Sequence, residues 1–134
     1  MFVLLIILIA LFFLGLSGLE DLKTREVPDY VSYAFIATAF FIRIIWFFFE
    51  KDISIISWMP VSLLVLGGFS YLMYISGQWG GGDVKVLIGV SLLLSSFQGE
   101  IIPFFLNFLL NTLVVGAFYG VVGIGIMALK VLKK

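Results

Sequence analysis

The sequence predicts an all-α protein, a polytopic transmembrane helix bundle of about five spans, on three observations. Its residues are 63% hydrophobic and only 12% charged, with 15 phenylalanines and a mean hydropathy of +1.24, far from a soluble domain's balance. The apolar residues fall into five runs separated by charged, glycine- or proline-bearing segments. The length of 134 residues accommodates about five spans of roughly 20 residues with short loops, and no soluble domain of useful size. Residues 1–134 therefore read as one membrane domain.

The first run, Met1 to Leu19, lacks the positively charged start of a signal peptide and passes unbroken into a loop bearing Lys23 and Arg25, so it reads as a retained span. The second covers Tyr30 to Phe49 with Arg43 inside it, and the third roughly Trp58 to Ser76. The fourth, Val84 to Phe97, makes only about 21 Å of helix against a hydrocarbon core of about 30 Å. If Gln98-Gly99-Glu100 marks the far surface, Asp83 is recessed into the membrane behind the flexible stretch Gly77 to Gly82; local bilayer thinning accommodates the same count. The fifth run, Ile101 to Leu129, would be about 43 Å long and must tilt, kink or emerge at the surface. Its Gly116-x-x-x-Gly120 pattern, with Gly123 and Gly125 beyond, suits close helix packing. Asn107 and Asn111, one turn apart, are expected to face another helix rather than lipid.

Charge sets the orientation. With the N-terminus outside, Lys23, Arg25, Lys85, Lys130, Lys133 and Lys134 fall on the inner side and Lys51 on the outer. Net charge is zero and no basic run exceeds Lys133-Lys134, so no nucleic-acid partner is expected. Cysteine and histidine are both absent. Thiolate nucleophiles, zinc sites built on Cys or His and histidine-based serine triads are thereby removed, and no metal or cofactor is expected. Gly15-Leu16-Ser17-Gly18 mimics the motif of rhomboid proteases, but those require a histidine.

Acid and base chemistry then falls to carboxylates or lysine, and two aspartates stand out because both end up on the inner side of the membrane. Asp21 follows the first run within Glu20-Asp21-Leu22-Lys23-Thr24-Arg25-Glu26-Val27-Pro28-Asp29, and Asp83 ends Gly80-Gly81-Gly82-Asp83. A carboxylate at the membrane boundary is costly and calls for a reason. Each has a structural one: Asp21 as a charge that stops a span, Asp83 as a helix cap after a glycine turn. Three consecutive glycines exceed what a turn needs, however, and a stretch without side chains lets a substrate strand approach the backbone. Two carboxyl groups sharing one proton can activate water against a peptide bond. Lys85 either tunes these acids or snorkels to the surface.

Gly80-Gly81-Gly82-Asp83-Val84-Lys85 resembles the Gly-x-Gly-Asp hallmark of membrane aspartyl proteases, a group that includes presenilin and signal peptide peptidase. Those two carry the partner acid in a Tyr-Asp pair. Here Asp21 is followed by basic residues and Val27-Pro28-Asp29, which is similar to the type IV prepilin peptidases and their archaeal preflagellin relatives. The resemblance covers Leu14 to Val90. It implies an aspartic-type endopeptidase with Asp21 and Asp83 as its catalytic pair, and Gly80, Gly81, Gly82, Lys85, Pro28 and Asp29 as substrate-binding or supporting residues. It further implies a plasma-membrane protein that removes the cytoplasmic leader of pilin-like or archaellin precursors. Asp29 stands where that family more often has Asn, and the cysteine-bearing N-terminal extension of many bacterial members is missing, so N-methylation is not implied. Glu20, Glu26 and Asp29 could attract a basic leader peptide. The rival reading is a small transporter or channel subunit using the acids for proton or cation relay, which would need charges deep in several spans; only Arg43 qualifies.

Overall fold

A computed structural model describes residues 2–24, 26–95 and 104–132. Arg25, Lys133, Lys134 and the expected surface marker Gln98-Gly99-Glu100 lie outside the described residues, as do Phe97 and the start of the fifth run. The described chain is all helical: α1 (Phe2–Thr24), α2 (Asp29–Glu50), α3 (Ser54–Ile75), α4 (Gly81–Leu93) and α5 (Phe104–Leu132). Of these, α1, α2, α3 and α5 are long and apolar enough to cross a membrane, which makes this a multi-pass membrane protein. At 13 residues, or about 20 Å, α4 is not.

Helix ends depart from the apolar runs where polar residues carry the backbone onward. The first helix continues past Leu19 through Glu20 to Thr24, so Asp21 sits on its last turn rather than in a loop. Lys23 pairs with Glu20 three positions back at 3.2 Å, which favours continued helix. The Thr24 hydroxyl lies 2.9 Å from the Glu20 carbonyl and 2.8 Å from that of Glu26, able to donate to either. Pro28, extended at φ −61° and ψ 138°, starts α2, and its carbonyl accepts from the backbone N–H of Val31. At the other end Lys51 turns left-handed (φ 53°) and donates its N–H to Phe47, closing the helix as a glycine usually would. The third helix begins four residues earlier than its apolar run, because the Asp52 carboxylate accepts the Ser54 N–H at 2.9 Å. Pro60 within it precedes a widened turn at Leu63–Gly67.

Lipid is as apolar as a leucine side chain, so close packing rather than burial from water must hold such helices together. α2 presents one stripe inward, Ser32, Phe35, Ala39, Arg43 and Trp46, and α4 lies along it. The contact is tight at Gly89, where an added Cβ would come 2.6 Å from the Phe35 ring. Phe35 in turn stacks on Phe13 of α1 at 4.8 Å. α4 also touches α1 and α3, so the shortest helix is the hub of the bundle. Several buried hydroxyls bond to carbonyls, Ser62 reaching the Ser91 carbonyl at 2.7 Å, whereas those of Ser17 and Ser95 find no partner among the described residues. Arg43, fully buried, donates Nε–H to the carbonyls of Leu92 and Leu93 at the end of α4, and its guanidinium lies 5.1 Å from the Trp46 ring centroid.

The fifth helix differs. It runs unbroken for 29 residues, and after Phe105 none of its residues through Lys130 is buried within the chain. Asn107 and Asn111 are exposed, contrary to the expectation that another helix would face them; no helix among the described residues of this chain covers them. The glycines at 116, 120, 123 and 125 likewise have open space where a Cβ would stand.

Candidate active site

Asp21 on the last turn of α1 and Asp83 on the first turn of α4 are both exposed, and they line the same two adjoining cavities. One is a chamber of about 380 Å³ between α1, α4 and α5. Apart from the acids its walls are mostly apolar: Leu14 from α1, Val86 and Val90 from α4, Trp79 from the turn before α4, and Phe108 with Thr112 from α5. Leu14 and Val90 each lie seven residues from an acid, so the chamber runs about 10 Å along both helices. The other cavity, about 350 Å³, is a polar mouth formed by Glu26, Asp29, Gly80, Gly81, Gly82 and Lys85 together with the two aspartates. The acids thus stand at the junction of an apolar and a polar space. No hydrogen bond joins the two carboxyl groups among the described residues; Asp83 instead accepts the Gly80 N–H at 3.0 Å. This is a helix cap from the third helical position, and it leaves the second carboxyl oxygen of Asp83 available.

The glycine stretch is more ordered in design than a flexible linker. Gly77, at φ +72°, ends α3 in the left-handed conformation that glycine adopts without strain, and the Gly77 and Gln78 N–H groups donate back to Tyr74 and Met73. Trp79 packs edge-on against Phe69 at 5.6 Å. Gly81 and Gly82 already belong to α4.

Expected together as a lane for substrate backbone, the three glycines divide. At Gly82 a Cβ would lie 2.8 Å from the Val27 Cβ and 3.1 Å from its carbonyl oxygen, so that face is filled by the protein itself. Gly80 and Gly81 meet nothing closer than 3.5 and 3.9 Å.

Lys85 does not snorkel alone. Its ammonium binds Asp29 Oδ1 at 2.5 Å and stands 5.0 Å from the Tyr33 ring centroid. Asp29 is also in the first turn of α2, where a carboxylate suits the helix dipole. Pro28 contributes by starting that helix. Glu20, paired with Lys23, does not line the acidic mouth, whereas Glu26 does. Three residues that line the chamber, Trp79, Phe108 and Thr112, were not expected at the site. An aromatic directly before three glycines was a signal for Trp79; the two residues from α5 had none.

A helical membrane bundle with two acids at the mouth of an apolar chamber has the parts of a membrane hydrolase. Residues 3–121 match the type IV leader peptidase family, and the chain belongs to that family. Neither the curated proteins nor the solved structures gave a match. Family membership makes the chain a protease of the leader-peptidase type, a class whose substrates are pilin-type precursors.

Proposed function

We propose that this chain, as a single transmembrane domain, is an aspartic endopeptidase that removes the cytoplasmic leader from pilin-like or archaellin precursors at the plasma membrane. The observation that carries this reading is the shared position of Asp21 and Asp83 between the apolar chamber and the polar mouth. A precursor of this type has a polar leader joined to an apolar helix. Such a junction fits a site whose two sides have the same two characters.

In the reaction, one carboxylate takes a proton from water as its oxygen attacks the scissile carbonyl carbon, and the other carboxyl, in its acid form, donates a proton to the carbonyl oxygen. Collapse of the tetrahedral diol breaks the C–N bond as the first carboxyl gives its proton to the leaving nitrogen and the second, now a carboxylate, takes a proton from a diol hydroxyl, which restores the starting pair. Either aspartate can fill either role, since a coupled pair titrates as a unit. Gly80 and Gly81 give the substrate backbone room to approach, and the acidic mouth attracts a basic leader.

Orientation follows from the basic residues, with the N-terminus and Lys51 outside and both acids on the cytoplasmic side. The relay reading gains nothing from Arg43, which is held against the Leu92 and Leu93 carbonyls rather than along a path between the acids.

The test is incubation of the purified chain with a pilin-like or an archaellin-like precursor in detergent or lipid, beside Asp21→Ala and Asp83→Ala. Cleavage at the leader junction by wild type alone is expected. Equal cleavage by either variant would remove that residue from the mechanism.

A further inference from the structure

Gly82 and Lys85 are three residues apart and share one side of α4. Both attach to the same short stretch that follows Asp21: Gly82 lies against Val27, and Lys85 is bound to Asp29. Asp83 sits one residue from the first contact and two from the second. The body of α4 is held by its packing along α2, tight at Gly89 on Phe35, and these two contacts one turn apart hold its first turn, fixing the rotation and depth of that turn. Those are the variables that decide where the Asp83 carboxyl faces relative to Asp21.

We infer that the Asp29–Lys85 ion pair, braced by the Gly82–Val27 contact, is a latch that joins the two acid-bearing segments, which makes Lys85 and Asp29 positioning residues for the dyad. This rests on the peptidase reading. Lys85 retains 28% and Asp29 68% side-chain exposure, so the pair adds little to folding stability. Its effect falls on geometry, to which catalysis is far more sensitive: a misplacement of about 1 Å can cost about 100-fold in rate. Among the described residues Lys85 is the single cation lining a mouth with four carboxylates, and its charge is taken up by Asp29, which leaves those described residues acidic toward a basic leader. Tyr33 lies beside the ammonium and limits its alternatives.

The experiment uses the absence of native cysteine. Spin labels on Leu22→Cys and Gly81→Cys, both at exposed positions, report the distance between the end of α1 and the start of α4. Adding Lys85→Ala is expected to broaden that distance distribution. In the unlabelled chain it should lower kcat by about 10- to 100-fold, with KM and the thermal midpoint near wild type. Asp29→Ala should do the same from the other side, so a folding failure of one variant leaves the other to decide. Lys85→Arg should restore both readouts, and Asp29→Asn, which keeps an oxygen acceptor, should restore them in part. An unchanged distance distribution in both alanine variants overturns the latch, even if activity falls. If the wild-type chain cleaves no precursor, the peptidase reading fails while the distance measurement still decides the latch.

Discussion

Gly82 rests directly on Val27, so closely that a single added carbon would sit 2.8 Å from the valine Cβ. The start of the helix that carries Asp83 is thereby pressed against the connection that leaves Asp21. Substituting Gly82→Ala should push the two apart, costing about 1–3 kcal/mol as an overpacked contact. Gly81→Ala, whose Cβ would meet only Tyr74 at 3.9 Å, should leave stability unchanged. Thermal unfolding in detergent compares them, and equal midpoints would mean that Val27 yields without resistance.

Loss of either acid should abolish cleavage, because water activation and carbonyl polarisation are needed in the same step. A fall of at least about 1,000-fold in kcat/KM is expected for Asp21→Asn and for Asp83→Asn. Partial turnover by Asp21→Asn would leave Asp83 without its proposed partner.

The two acids should nevertheless differ in stability. Asp83 caps the Gly80 N–H and Asp21 accepts no such bond among the described residues, so Asp83→Ala should lose about 1 kcal/mol that Asp21→Ala does not. Asp83→Asn keeps an acceptor oxygen and should stay near wild type in a melting curve.

At the opposite end of α4, Arg43 supplies the donor for the Leu92 and Leu93 carbonyls. Arg43→Met should destabilise the bundle by about 1–3 kcal/mol, since the Leu92 and Leu93 carbonyls lose a charged donor. An unchanged midpoint in lipid would show that those carbonyls find another donor.

Orientation can be read by thiol labelling of single-cysteine chains. A cysteine at position 51 should react with an impermeant reagent from outside the cell, and one at position 23 should react only after lysis. The reverse pattern would put both aspartates outside and end the cytoplasmic-leader reading.

The helices were legible because lipid-facing residues must be apolar almost without exception, so each charged or glycine-rich break marks a boundary within a few residues. The same scarcity of charge made Asp21 and Asp83 conspicuous. What sequence order could not reveal was the partnership of Asp29 with Lys85, separated by 56 positions. That pairing joins residues that meet only once α4 docks on its neighbours, as Gly82 does on Val27 and Gly89 on Phe35, and close approach is a tertiary property. The three glycines look alike in sequence, and only their neighbours separate the packed one from the open two. The end of α1 was misplaced for a different reason: the apolar run stops at Leu19, but an exposed helix needs no apolar residues to continue, only side chains such as Glu20 and Lys23 that favour one another.

The bareness of α5 changes how the chamber can be entered. This helix contributes Phe108 and Thr112 to the chamber, and beyond its first turns, where Phe105, Leu106, Phe108 and Leu109 pack on the core, it buries little surface against the described residues. Moving it outward breaks few contacts, and the surface uncovered would meet hydrocarbon, for which it is already suited. An outward lean of this helix would turn the side of the chamber into an opening toward the bilayer. An apolar helix arriving through it would exchange one oily neighbour for another and would never cross water, while its polar end stayed at the surface beside the two acids.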